Sequence, residues 1–213
     1  MIYIVSLEDI LIVSRDFIFY KFIHKVSLIY IYIYMKTLNS DSHDDLVENI
    51  EKSRYIIYMH IGLKRISTIK QDPECKKYGG YTFYLNNYFI RFRTAVVTPK
   101  KIGNFVTLWN RNTNNNIRPY GIDSSDFIII CVKNKSETKF GQFIFPNSLL
   151  GSKNILSTNK KNGKLSFRVY PIWSKPISKQ AINTQKWQIK YFIDMSDIYE
   201  VNIGKAKKIF FHN

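Results

Sequence analysis

The chain has 213 residues, 45% of them apolar, and a formal net charge of +16. That length and apolar content fit one globular domain with extensions and exclude a disordered or fibrous chain. Between Gly80 and Phe192 there are eighteen Lys and Arg but only three acids, Asp123, Asp126 and Glu137, an excess that destabilises a compact state by self-repulsion and that a polyanionic partner would offset.

In chain order, residues 1–34 carry three bases and three acids and stand apart from this charge. They are apolar but interrupted by Lys21, His24 and Lys25. Their longest uncharged run is too short to span a bilayer, and Glu8 and Asp9 come too early for a signal peptide. We read them as an extension outside the domain, such as upstream translated A/T-rich sequence, with Met35 as a natural start. Stable membrane insertion is not expected. The domain is expected over 35–194, with a C-terminal tail at 195–213. Ser40 to Asp45 form a polar, acidic linker, and a helix is expected over 46–58. Residues 71–77 are charged, contain Pro73 and read as a loop.

Residues 81–95 give the clearest hairpin, turning at Asn86-Asn87. This register pairs Leu85 with Tyr88, Phe83 with Ile90 and Tyr81 with Phe92 on an apolar face. Tyr84 with Phe89, Thr82 with Arg91 and Gly80 with Arg93 share the other face, so two arginines are expected to point at solvent or a ligand. A basic turn at 98–103 carries Lys100 and Lys101. A strand follows over 105–109, then an Asn-rich loop with Arg111 and Arg118. Residues 127–132 are apolar throughout, as in a strand covered on both faces. A polar turn and a returning strand over 140–145 come next, then a short helix and a strand holding Arg168. The last element is a helix over 179–193 with Ser178 at its N-cap and an apolar stripe of Ile182, Ile189, Phe192 and Ile193. The order predicts an α+β or mixed α/β fold, a central mixed sheet flanked by helices.

Cys75 and Cys131 show no zinc spacing, and two isolated thiols fit a reducing cytoplasm. His24, His43, His60 and His212 form no catalytic constellation with them. Heavy use of Ile, Tyr, Phe, Asn and Lys matches an A/T-rich genome. Codon bias of that kind supplies Lys but not Arg91, Arg93, Arg111, Arg118 and Arg168, which therefore carry the charge argument. With Lys100, Lys101, Trp173, Lys175, Lys179 and Lys186 they are the candidate nucleic-acid contacts: cations for phosphate and an aromatic ring for stacking. Trp109 and Trp187 read as packing residues.

Several stretches in order carry a resemblance: Tyr78-Gly-Gly-Tyr-Thr-Phe83, Ile90-Arg-Phe-Arg93, Thr98-Pro-Lys-Lys-Ile-Gly103, Phe105-Val-Thr-Leu-Trp109, Asp126-Phe127, Gly141-Gln-Phe-Ile-Phe-Pro146, Arg168-Val-Tyr-Pro171, and Ser178-Lys-Gln-Ala181 through Gln185-Lys-Trp-Gln188. Over about residues 50–194 the chain resembles the MepB family of bacterial proteins, one of which is encoded beside a multidrug efflux pump and its repressor. The family has Gln where this chain has Asn104. The resemblance implies a core similar to type II restriction endonucleases and DNA, single- or double-stranded, as partner.

A nuclease of that class needs an acid at the start of one strand and (D/E)xK on the next, to hold Mg²⁺ and orient water. Asp126 opens the central strand and is the candidate catalytic residue. The next strand offers Gln142-Phe143-Ile144 where the motif would stand, and Glu137-Thr138-Lys139 falls in a turn. The expected function is a cytoplasmic DNA-binding protein with a degenerate nuclease site that requires no cofactor. The alternatives are an active Mg²⁺-dependent endonuclease and a module for a small anion or nucleotide, with Arg91, Arg93 and Arg168 lining a closed pocket. A membrane-surface role ranks behind these. The sequence leaves oligomeric state open.

Overall fold

A six-stranded mixed sheet organises the protein, in a computed structural model that describes residues 45–212. From Leu46 onward the chain forms one compact unit. The expected extension over residues 1–34 lies outside the described residues.

The chain enters through helix α1 (Asp45–Ser53), which tightens through a π turn at Arg54–Tyr58 and a 3-10 turn at Met59–Ile61 and stops at Gly62. Gly62 takes φ +85, a left-handed conformation that glycine adopts without Cβ strain. Strand β1 (Lys70–Gln71) is a short edge. A 3-10 segment at Pro73–Tyr78 leads to the hairpin of β2 (Tyr81–Leu85) and β3 (Tyr88–Thr94). Its register runs Tyr81 to Phe92, Phe83 to Ile90 and Leu85 to Tyr88, as the alternation predicted. The next strands are β4 (Val96–Val97), β5 (Asn104–Thr107), β6 (Trp109–Arg111), β7 (Ile117–Pro119), β8 (Phe127–Lys133) and β9 (Phe140–Pro146). Helix α2 (Asn147–Ser152), β10 (Ser166–Val169), α3 (Lys179–Gln188), β11 (Phe192–Asp194) and α4 (Ile203–Phe211) complete the chain.

The large sheet has the order β1-β2-β3-β8-β9-β11, with β3 and β8 parallel and its other pairs antiparallel. This is the expected mixed sheet with helices. A second sheet runs β10-β5-β4, and β6 with β7 form a separate two-stranded ribbon where a loop was expected.

Strand β8 is buried on both faces because two layers cover it. Phe127, Ile129 and Cys131 meet Ile57, Tyr58, Ile209 and Phe210 from the first turns and α4. Ile128, Ile130 and Val132 meet Val106, Leu150 and Val169 from the small sheet and α2. Period-2 alternation thus splits one apolar run between two cores.

The carboxyl-terminal part departs from expectation twice. Helix α3 ends at Gln188 and a 3-10 turn at Ile189–Tyr191 redirects the chain. Phe192 and Ile193 then form an edge strand paired with Phe143 and Gln142, so they do not continue the helix stripe. Beyond residue 195, in the segment expected to be a tail, α4 buries Ala206, Ile209 and Phe210 in the core. Among the described residues, no helix is long and apolar enough to cross a membrane.

Candidate functional site

Arg91 and Arg93 do lie opposite the apolar face of the hairpin, but that face is covered as well. Arg93 is fully buried. Its Nη2 donates to Asp72 Oδ2 at 2.6 Å and to the Tyr120 hydroxyl at 3.2 Å, and its Nη1 donates to the Phe92 carbonyl at 2.8 Å. The Tyr120 hydroxyl donates to the same Asp72 oxygen at 3.0 Å. Arg91 is half-buried, stacks 4.1 Å over the Tyr120 ring and reaches Asp72 at 3.5 Å. Burial pulls the Arg91 guanidinium pKa down and pushes the Tyr120 phenol up to about 12. Burial also raises the Cys75 thiol.

The expectation that Arg91 and Arg93 form an open basic face is therefore corrected. A buried guanidinium needs a carboxylate and hydrogen bonds to be tolerated; Asp72 supplies the charge, and the two Nη atoms are bonded while Nε has no partner. Gly80 makes room: a Cβ there would collide with the Cys75 side chain and come within 3.0 Å of Arg93 Nη1. Asp72 and Tyr120 were missed from sequence. The available signal was the only acidic pair between Glu51 and Asp123, Asp72 and Glu74, standing beside Pro73 where the chain must turn.

The other arginines are also engaged. Arg111 pairs with Glu74 at 3.2 Å and donates to the Asn115 carbonyl. Arg118 donates to Asn110 Oδ1 at 3.2 Å. Arg168 donates to the Gly103 carbonyl and to Thr98 Oγ1, both at 2.9 Å, and so fastens the Thr98-to-Gly103 turn. Arg168 sits on the small sheet, bonded to that turn, while Arg91 and Arg93 are bonded to Asp72.

Several lysines remain solvated, beside a half-buried tryptophan. The Asn104 amide donates to the Lys133 carbonyl at 3.0 Å, which ties the start of β5 to the end of β8. This brings the turn with Lys100 and Lys101 to the same end of the molecule as the β8–β9 turn. Lys100, Lys101, Lys135, Lys139 and Lys175 are exposed there, and among the described residues none makes an ion pair. Lys133 pairs with Glu137 at 3.5 Å. Trp173 stands edge-on to Phe192 at 5.4 Å and lines an open cavity of about 660 Å³ with Asn134, Lys135, Ser136 and Lys139. Lys179 and Lys186 are exposed on α3. Trp187 packs against Phe145, with Lys153 over its ring. Trp109 stacks under Arg111 in the ribbon.

Asp126 is exposed and closes the parallel β3–β8 pair. Its Oδ2 accepts from the Phe89 amide at 2.7 Å, and its own amide donates to the Phe89 carbonyl. Gln142 pairs across from Cys131, five residues along β8 from Asp126, a separation of about 16 Å at the usual strand rise. It is fully buried, accepting from the Tyr58 hydroxyl at 3.2 Å and donating to Ser53 Oγ. Gln142 is therefore a core residue remote from Asp126 and no substitute for a metal-binding acid beside it. Among the described residues there is no group of three or more His, Cys, Asp or Glu that could hold a metal.

A family model described as MepB-like matches residues 72–194. The chain belongs to the MepB-like family. A solved structure, the crystal structure of MepB, is 36% identical, with a TM-score of 0.59 over 62% of this chain and 88% of that one. No curated protein matches the chain. The family match spans the Asp72–Arg93–Tyr120 cluster, the lysine-rich end and Trp173, and it stops before α4.

Proposed function

We propose that this protein binds nucleic acid, DNA in the first place, through its lysine-rich end. The observation that carries the reading is the set of exposed, unpaired lysines: Lys100 and Lys101 on one turn, Lys135 and Lys139 on the next, and Lys175 after Trp173. Solvated ammonium groups that no carboxylate neutralises are free to displace counterions from phosphate. Trp173 adds an aromatic surface of the kind on which bases stack. Arg91 and Arg93 contribute indirectly, by holding the hairpin and the ribbon on the sheet. The candidate catalytic residue Asp126 has a hydrogen-bonding job at the strand start, so the reading includes binding without cleavage and no required metal.

The test is fluorescence anisotropy with labelled oligonucleotides from about 50 to 200 mM salt, the range over which phosphate contacts weaken markedly. Affinity is expected to fall linearly on a log–log plot. The pair Lys135→Glu and Lys139→Glu is expected to weaken binding at least about tenfold, roughly 1.4 kcal/mol, and to flatten the salt slope by about two. Salt-independent binding, or a folded charge-reversed protein with unchanged affinity, refutes the reading.

A further inference from the structure

The open cavity at Trp173 lies between two walls braced by hydrogen bonds. The first is the loop from Tyr170 to Ser174, held by two glutamines of α3. Gln188 accepts from the Tyr170 amide and donates to the Arg168 carbonyl, both at 2.9 Å, and is itself fully buried. Gln185 donates to the Pro171 carbonyl at 3.0 Å and to the Ser174 carbonyl at 2.9 Å. These bonds, with the edge-on contact to Phe192, fix the Trp173 indole in place, half-buried against the core. The second wall is the β8–β9 turn. Asn134 holds it with its amide on Ser136 and Thr138, both at 2.9 Å, and its carbonyl oxygen accepts from the Lys139 amide at 2.9 Å.

The cavity's chemistry follows from which groups those bonds consume. Asn134 and Ser136 spend their polar atoms on the turn. The lining residues whose side chains are not spent on the turn are Trp173, Lys135 and Lys139. An indole offers a stacking surface that tolerates any base, and lysines offer charge for phosphate. A base pair inside a duplex has both faces covered by its neighbours, so an indole can stack only on a base that has left the helix.

We infer that this cavity is a subsite for one unpaired nucleotide, with the base stacked on Trp173 and its flanking phosphates neutralised by Lys135 and Lys139. It accepts any base, in a strand end, a gap or a single strand. The inference rests on the nucleic-acid reading above and assigns that reading's aromatic contact and its preference for unpaired bases.

The test compares fluorescein-labelled single strands of about 12 nucleotides, a length within known single-strand site sizes, in base-bearing and fully abasic form. Both carry the same phosphates. The wild-type protein is expected to bind the base-bearing strand about tenfold tighter and to bind different base compositions alike. Trp173→Leu, which keeps an apolar contact to Phe192, is expected to bind both strands equally, at the abasic level and with an unchanged salt slope. Equal wild-type affinity for the two strands, or a preference that survives in Trp173→Leu, overturns the subsite while leaving the lysine-based reading standing. Absence of binding to either strand at low salt overturns both. If Trp173→Leu does not fold, the wild-type comparison of the two strands decides alone.

Discussion

Replacing Arg93 by Ala is expected to destabilise the protein by about 3–5 kcal/mol, the usual loss when one partner of a buried ion pair is removed. Arg93 has no exposed surface and Asp72 is 6% exposed, so water cannot readily replace the lost guanidinium. Asp72 would keep the Tyr120 hydroxyl at 3.0 Å, the Glu74 amide at 3.2 Å and Arg91 at 3.5 Å, and the Phe92 carbonyl would lose its 2.8 Å donor. In a domain of ordinary stability this is about a fifth of the total or more, and it should lower the thermal midpoint by roughly 6–20 °C. Urea and thermal unfolding followed by circular dichroism measure it. The double change Asp72→Leu with Arg93→Met should cost less than Arg93→Ala alone, because removing both charges leaves no stranded carboxylate. A folded Arg93→Ala protein within about 1 kcal/mol of wild type would refute this reasoning and return Arg93 to the surface role expected from sequence.

Gly80→Ala should destabilise by about 1–3 kcal/mol through the clash at Cys75, measured by urea unfolding; a neutral result would mean the Arg93 cluster has slack. Gln188→Ala, which strips partners from the Tyr170 amide and the Arg168 carbonyl, should cost about 1–3 kcal/mol and change the near-ultraviolet circular dichroism of the tryptophans. Stability should fall as pH rises above about 9. Burial pushes the Cys131 thiol and the Tyr120 phenol up to about 12 and raises Tyr58 too, so the unfolded chain releases protons that the folded one keeps. Lys205, lowered by burial, acts in the opposite direction. The net loss by pH 11 should be on the order of a few kcal/mol, and Cys131→Ala should flatten the onset. With Mg²⁺ or Mn²⁺ no multiple-turnover cutting is expected; cutting that Asp126→Ala abolishes would favour the endonuclease alternative.

Most of the sheet was legible in the sequence because its signals are local. The 81–94 hairpin was readable in register from alternation and the Asn86-Asn87 turn, and β8 from its unbroken apolar run. Ser178 marked the start of α3, where its hydroxyl accepts from the Ala181 amide. The misses depend on what covers each element. Alternation showed that Arg91 and Arg93 share a face and carried no sign that this face is buried. Phe192 and Ile193 continue a helical period until the 3-10 turn at Ile189–Tyr191 lays them against β9. Gln142 reads as a replaced catalytic acid because it stands on the strand after the one Asp126 opens, where the motif would fall, yet its neighbours are Tyr58 and Ser53.

The charge excess is best understood as two populations that composition cannot separate. The five arginines are the part of the charge that codon bias does not explain, which makes them the better functional candidates by sequence. Each has an intramolecular partner: Asp72 for Arg91 and Arg93, Glu74 for Arg111, Asn110 for Arg118, and Thr98 with Gly103 for Arg168. A rigid planar fork suits such fixed internal geometry. Of the lysines, which an A/T-rich genome supplies freely, Lys100, Lys101, Lys135, Lys139 and Lys175 are left solvated, while Lys133 pairs with Glu137 and Lys205 donates to the Ile189 carbonyl. A surface that must attract phosphate without reading sequence needs point charges on flexible stems more than it needs directed forks. The arginines thus belong to the argument about what holds the layers together, and the lysines beside Trp173 to the argument about what the protein binds.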